Sequence, residues 1–149
     1  MGRFRDGIRP VQSRLETYCE RLRTRIGLRS VVVFGSRARG DHWENSDIDL
    51  LVIADDFRGM SSGQRIDLLL EAWSGIPALE PFGVTSEECA GPGWLLLWDA
   101  LHQGRVLEDD GTFKSAREKL LSRIEEGNLI PTQDGWRERL GTGISNLAP

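Results

Sequence analysis

Two stretches decide the fold, Val33-Phe34-Gly35-Ser36-Arg37-Ala38-Arg39-Gly40 and, after a gap of five residues, Ser46-Asp47-Ile48-Asp49-Leu50. Residues 30–34 are mostly β-branched and apolar, which predicts a strand buried on both faces. The glycine and serine that follow end this strand abruptly, and the polar gap leaves room for a short helix or a turn at most. Residues 47–53 then predict a second strand.

Alternation along the second strand places Asp47 and Asp49 on the same face. At a rise of ~3.3 Å per residue their Cα atoms lie about 7 Å apart. Two carboxylates this close repel each other unless a cation lies between them. Mg²⁺ (or Mn²⁺) suits such a site, because it binds a few carboxylates and leaves part of its coordination shell open for substrate phosphates. Two such ions can bind the attacking and leaving oxygens of a displacement at phosphorus.

The turn before this pair offers groups that bind phosphate. Backbone N–H groups and the hydroxyl at Gly35-Ser36 can meet phosphate oxygens. Arg37 and Arg39 are expected to neutralise further phosphate charge. Ser46 precedes the carboxylate pair, where its hydroxyl either fixes the chain or contacts a ligand. A lone Asp-x-Asp pair is common on protein surfaces, so the prediction of a site depends on this combination.

The combined pattern resembles the signature of the nucleotidyltransferase superfamily that includes DNA polymerase beta. The similarity covers residues 31–53 and is greatest to the small stand-alone members, the minimal nucleotidyltransferases. This resemblance implies that Gly35 and Ser36 hold a nucleoside triphosphate. It also implies that Asp47 and Asp49 bind Mg²⁺.

The family usually has a third acidic residue on a later strand, and Glu80 is the candidate here. It lies 31 residues beyond Asp49 (80 − 49), which leaves room for a crossover helix. The resemblance implies that Glu80 binds metal or accepts the proton of an attacking hydroxyl, the role of a general base. The polymerase pattern has Asp at this place, and Glu is one methylene longer. The alternative is that Glu80 is a solvated residue of an edge strand.

The remaining periodicity predicts an α/β (α+β) domain with the nucleotidyltransferase fold, a small mixed sheet of three to four strands flanked by helices. Apolar spacing predicts helices over residues 10–26, 61–73, 94–102 and 112–126, and a short one after the capping box that begins at Thr85. Further strands are predicted over residues 78–84 and 105–108, the former at an edge because of Pro81. Residues 1–127 are expected to form one domain and residues 128–149 a partly disordered tail.

Composition narrows the class of protein. The 149 residues carry a net charge of −4, and no apolar run approaches the roughly 20 residues that span a bilayer. The amino terminus lacks an apolar stretch typical of a signal peptide, so a cytoplasmic protein without a membrane partner is expected. Residues 1–29 carry eight Arg and three acidic residues, which suits nucleic acid or an acidic partner. Only two of the 19 basic residues are Lys, so a general preference for Arg accounts for this segment better than nucleic-acid binding does.

Three functional hypotheses follow. The first is an enzyme that moves a nucleoside monophosphate from an NTP, with ATP expected, to a hydroxyl on a protein, a small molecule or an RNA end. The second rests on the resemblance to small family members: an antitoxin-type protein that binds, and sometimes nucleotidylates, a helical protein partner through its amino-terminal segment or its tail. The third is a member that binds nucleotide with little turnover, which only the Glu at position 80 favours.

Overall fold

The computed structural model describes residues 6–91, 93–140 and 143–147. The helices are α1 Gln12–Arg23, α2 Gly35–Arg39, α3 Ser62–Glu71, α4 Ser86–Ala90, α5 Leu95–Gln103 and α6 Thr112–Glu125. The strands are β1 Leu28–Phe34, β2 Ile48–Ala54, β3 Leu79–Val84, β4 Arg105–Asp109, β5 Leu129–Thr132, β6 Gly135–Leu140 and β7 Gly143–Leu147. None of the helices in the described ranges combines the length and apolar character needed to cross a bilayer.

The first four strands form a mixed sheet in the order β3-β2-β1-β4. Strand β1 pairs antiparallel with β2 and β4, whereas β2 and β3 are parallel, with α3 in the crossover between them. The predicted small mixed sheet flanked by helices is therefore confirmed. Strand β3 lies at an edge, as Pro81 predicts, since proline cannot donate a ladder hydrogen bond.

The alternation along β2 divides the core into two layers. Ile48, Leu50 and Val52 face a buried cluster that includes residues of α1 and α3. Leu51 and Ile53 face a second buried cluster, formed mainly with residues of α5 and α6. Side chains alternate along a strand, so Asp49 belongs to the face that α5 covers.

The carboxy-terminal segment contains strands that the sequence analysis did not predict. It placed residues 128–149 in a partly disordered tail, whereas β5, β6 and β7 form an antiparallel sheet within this range. Trp136 of β6 is 2% exposed, and its ring lies 5.8 Å from that of Trp98 in α5. Leu129 is buried in the same cluster, so the first residues of this segment are part of the main core.

Arginines near the amino terminus bind groups of the protein itself. Arg14 donates hydrogen bonds to the carbonyl oxygens of Ser74 and Ile76. Arg25 and Arg29 form ion pairs of 3.0 and 2.9 Å with Glu71 and Asp55. Residues 1–5, with two more of the basic side chains, lie outside the described residues. The positive charge of the segment is thus partly neutralised within the fold, which gives the nucleic-acid hypothesis no support.

Candidate active site

Strand register brings the predicted acidic residues together at one end of β1, β2 and β3. Phe34, the last residue of β1, pairs with Asp49 of β2, and Asp49 pairs in turn with Glu80 of β3. Asp47 directly precedes β2, and Gly35 directly follows β1. Residues that are 31 positions apart in the sequence are therefore neighbours across the parallel pair.

The three carboxyl groups form a cluster that is open to solvent. The carboxyl of Glu80 makes hydrogen bonds with those of Asp47 and Asp49, and these contacts raise its pKa to about 7. Burial raises the pKa of Asp49, and the negative charge of Asp47 acts in the same direction. The positive charge of Arg39 opposes this effect. Glu80 and Asp47 are exposed and Asp49 is half-buried, so a ligand can reach all three.

The donor set fits a hard divalent cation. Three carboxylates carry more negative charge than the single guanidinium of Arg39 offsets, and a bound cation relieves such repulsion. In the described ranges no three His, Cys, Asp or Glu side chains are placed so that they could hold a metal ion together. Mg²⁺ needs no such set of three, because it commonly binds one or two carboxylates and completes its shell with water and substrate phosphates.

The turn from β1 into α2 requires glycine. Gly35 has a φ of +70°, and a Cβ atom built on it would lie 2.1 Å from Oδ2 of Asp49. Both the backbone conformation and the close approach therefore exclude a side chain. Ser36, the next residue, is partly exposed beside this turn. The predicted short helix is confirmed as α2, and the Gly35-Ser36 backbone passes directly beside a carboxylate of the cluster.

The two arginines of the motif have different surroundings. Arg37 is 2% exposed, and its guanidinium donates hydrogen bonds to the carbonyl oxygens of Gly7, Glu44 and Ser46 at 2.9–3.1 Å. These contacts hold the loop between α2 and β2 and direct the guanidinium of Arg37 into the protein, so the structure gives its predicted phosphate contact no support. Arg39 is half-exposed, pairs with Asp41 at 3.1 Å and acts on Asp49, so it stays a candidate.

Ser46 takes one of its two predicted roles. Its hydroxyl accepts a hydrogen bond of 2.7 Å from the backbone N–H of Trp43, which closes the loop before the carboxylates. The structure thus shows Ser46 fixing the chain, and contact with a ligand stays a prediction.

A cavity beside Arg39 contains residues that the sequence analysis did not select. It has a volume of about 540 Å³ and lies between α5 and the β5–β6 hairpin. Asp99 and His102 of α5 line it, and both contact Trp136, through a 2.9 Å hydrogen bond and a ring contact of 5.4 Å. The available sequence signal was Asp134-Gly135, a dipeptide typical of hairpin turns.

Comparison with known proteins gives a family match over most of the chain. Residues 14–125 match the family model described as a nucleotidyltransferase domain. A protein adenylyltransferase, MntA, of Thermococcus cleftensis is 35% identical over 66 residues, which are 44% of this chain and 67% of the relative. A protein of Methanocaldococcus jannaschii is 35% identical over 82 residues, 54% of this chain and 78% of its own length.

A solved structure supports the fold independently. A toxin–antitoxin crystal structure with AMP-PNP superimposes with a TM-score of 0.51, at 21% identity over 76% of this chain and 88% of the other. At this identity the similarity concerns the fold alone. The matched family range contains Asp47, Asp49 and Glu80, but ends before β5 begins.

Proposed function

The chain belongs to the nucleotidyltransferase family, and we propose that it transfers a nucleoside monophosphate, AMP in the first instance, from an NTP to a hydroxyl group with Mg²⁺. The observation that carries this proposal is the register between β2 and β3, which aligns Glu80 with Asp49. It brings a third carboxyl group beside the Asp47–Asp49 pair, which supports Mg²⁺ binding at this cluster with Glu80 as a further ligand or as the base. A lone Asp-x-Asp pair would support cation binding without a base.

In this proposal each group at the site has a separate task. A bound Mg²⁺ would offset the charge that develops on the reacting phosphate. The Gly35 backbone and the Ser36 hydroxyl donate hydrogen bonds to phosphate oxygens, and Arg39 adds positive charge. Glu80 accepts the proton of the attacking hydroxyl. An oxygen–phosphorus bond then forms at the α-phosphate, the bond to the β-phosphate oxygen breaks, and pyrophosphate leaves.

A protein hydroxyl is the acceptor that we propose first. The relative from Thermococcus cleftensis is named a protein adenylyltransferase, which supports both ATP as donor and a protein as acceptor. Small-molecule hydroxyls and RNA ends are the competing acceptors. Transfer of the nucleoside monophosphate to a protein, to a small molecule or to RNA distinguishes these acceptors.

Labelled ATP tests the proposed reaction. The protein is incubated with Mg²⁺, α-³²P-ATP and, in separate reactions, the protein encoded beside its gene, small hydroxyl compounds and RNA. We expect the label to move to the protein acceptor with an equal amount of pyrophosphate, and to stop moving when EDTA is added. A parallel reaction with γ-³²P-ATP should leave the acceptor unlabelled. Label transferred from the γ position would instead show phosphoryl transfer, and no transfer to any acceptor would contradict the proposal.

A second candidate function is binding of a helical protein partner, as an antitoxin-type member would do. A groove of about 540 Å³ lies along β3, the strand that carries Glu80. Trp94 and Leu96 line it and are 42% and 44% exposed, and Ile66 on the opposite wall is 37% exposed. Apolar groups gathered at a groove are typical of sites that bind an amphipathic helix. We favour this groove over the amino-terminal segment and the tail as the interface with a partner. Solved toxin–antitoxin structures share the fold of this chain.

Two exposed leucines provide a matched test of this groove. Leu96 and Leu121 are 44% and 45% exposed, but only Leu96 lines the groove. We expect Leu96→Asp to raise the Kd for the protein encoded beside the gene at least tenfold, since burying an apolar side chain contributes roughly 1.5–3 kcal/mol. Leu121→Asp should leave the Kd within about twofold. Titration calorimetry measures both values, and equal effects of the two substitutions would exclude the groove as the interface.

A further inference from the structure

The cavity beside Arg39 is built largely by a part of this chain that the family match does not include. One wall is α5, with Asp99, His102 and Gln103, and the other is the β5–β6 hairpin, with Thr132, Gln133 and Asp134. The family match ends at residue 125, and the hairpin begins at Leu129. The hairpin side of the cavity thus lies outside the part of the chain that matches the family model.

The walls of the cavity are held in place by contacts of Trp136 with α5 and by a hydrogen bond within the hairpin turn. Trp136 donates a hydrogen bond of 2.9 Å from Nε1 to Oδ1 of Asp99, which ties the hairpin to α5. Its ring also packs against Trp98 at 5.8 Å and His102 at 5.4 Å. In the turn, the hydroxyl of Thr132 donates to the carbonyl of Gly135 at 2.9 Å. The cavity is therefore formed before a ligand arrives, as most small-molecule sites are.

The lining favours an uncharged polar ligand over a phosphate. Asp99 and Asp134 contribute carboxylates, and Arg39 is the one guanidinium among the described lining residues. Phosphate groups are repelled by carboxylates and are bound by several cationic or N–H donors. Gln103 and Gln133 each offer both donors and acceptors, which is what the hydrogen-bonding edge of a nucleobase requires. Apolar surface for the flat face of a base comes from Leu95 and Pro131, which are both partly exposed.

Arg39 connects this cavity to the carboxylate cluster. Its Nη1 lies 3.5 Å from Oε1 of Gln103 at the cavity, and it is the last residue of α2, the short helix that begins at Gly35 beside Asp49. The Gly35-Ser36 turn and the Arg39 wall of the cavity thus lie at the two ends of one five-residue helix. We infer that the cavity between α5 and the β5–β6 hairpin binds the nucleoside half of the NTP. This inference rests on the proposed function, and the cavity volume of about 540 Å³ lies within the usual range for ligand sites.

Comparing ATP with inorganic tripolyphosphate separates the nucleoside contribution from the phosphate contribution. We expect the double substitution Gln103→Ala and Gln133→Ala to weaken ATP binding about tenfold, because each lost hydrogen bond costs about 1 kcal/mol or less. Binding of tripolyphosphate should change by less than about twofold. Calorimetry on the full chain, with Ca²⁺ in place of Mg²⁺ to slow turnover, measures both Kd values. Arg137→Ala is the matched control, since this exposed residue of β6 does not line the cavity.

Each outcome of this experiment either supports or contradicts binding of the nucleoside in the cavity. If the double variant binds ATP as tightly as the wild type, or loses acceptor labelling while keeping ATP affinity, the nucleoside does not occupy the cavity and the proposed function still stands. If the wild type binds neither ATP nor tripolyphosphate, the proposed function fails and the inference fails with it. Thermal melting checks the fold of each variant. Should the double variant unfold, Gln103→Ala alone, on the exposed side of α5, is expected to weaken ATP binding about threefold with tripolyphosphate unaffected.

Discussion

Asp49→Asn is expected to reduce nucleotidyl transfer by roughly 10³-fold, measured as kcat for labelled AMP at saturating ATP. Asn has nearly the same shape as Asp, so it fits beside Gly35 as closely as the native side chain does. It lacks the negative charge that, in the proposed site, would help Asp47 and Glu80 to hold a divalent cation. Stabilisation of phosphate charge by a metal ion is worth several kcal/mol, and each 1.36 kcal/mol is a tenfold change in rate.

The control for this substitution is Asp67→Asn, an exposed residue of α3 that lies apart from the carboxylate cluster. It should keep the wild-type rate and the wild-type affinity for Mg²⁺. Asp49→Asn should weaken Mg²⁺ binding, measured by calorimetry, while its melting temperature stays near that of the wild type. More than a tenth of the wild-type rate in Asp49→Asn would remove this residue from the metal site.

The sequence was sufficient to predict most of the carboxylate cluster. Asp47 and Asp49 follow from the two-residue period of a strand, which is a local property. The prediction of Glu80 required the assumption that β3 lies beside β2. The parallel register, which pairs Asp49 with Glu80, shows that the two strands are neighbours. The contacts within the cluster depend on pairing across 31 residues, so no local pattern determines them.

Local pattern could not distinguish Arg37 from Arg39. The two residues have the same chemistry and lie two positions apart on α2, so their side chains leave the helix on nearly opposite sides. Which side meets the interior depends on the path of the loop up to Ser46 and on Gly7, whose carbonyls accept hydrogen bonds from Arg37. The buried arginine is therefore determined by tertiary packing that the motif alone does not contain.

The carboxy-terminal strands were missed because their sequence signal is weak. Strands β5 and β6 have four and six residues, and β5 contains Pro131, which lowers the strand propensity of the segment. Their stability comes from packing, since Trp136 is buried against α5. The polar side chains between these strands line the cavity next to Arg39, so the sequence analysis missed this cavity together with the strands.

Glu80→Gln is expected to reduce transfer by at least about 10³-fold while changing ATP affinity by less than about threefold. Gln cannot accept the proton of an attacking hydroxyl and supplies no negative charge to a cation, and general-base catalysis alone contributes roughly 10²–10⁴-fold. The nucleotide contacts proposed here lie at Gly35, Ser36 and Arg39, so binding of ATP is largely preserved. Single-turnover kinetics with labelled ATP measure the rate, and calorimetry measures the affinity.

Two further substitutions decide what Glu80 does. Glu87→Gln, at an exposed acidic residue of α4, is the control and should leave the rate unchanged. Glu80→Asp keeps the carboxylate but shortens its reach by one methylene, which restores the residue of the polymerase pattern. If Glu80→Asp is faster than the wild type, the native Glu limits turnover and the chain is a weakly catalytic member of its family. If Glu80→Gln keeps the wild-type rate, Glu80 is a solvated edge-strand residue, and another group must accept the proton.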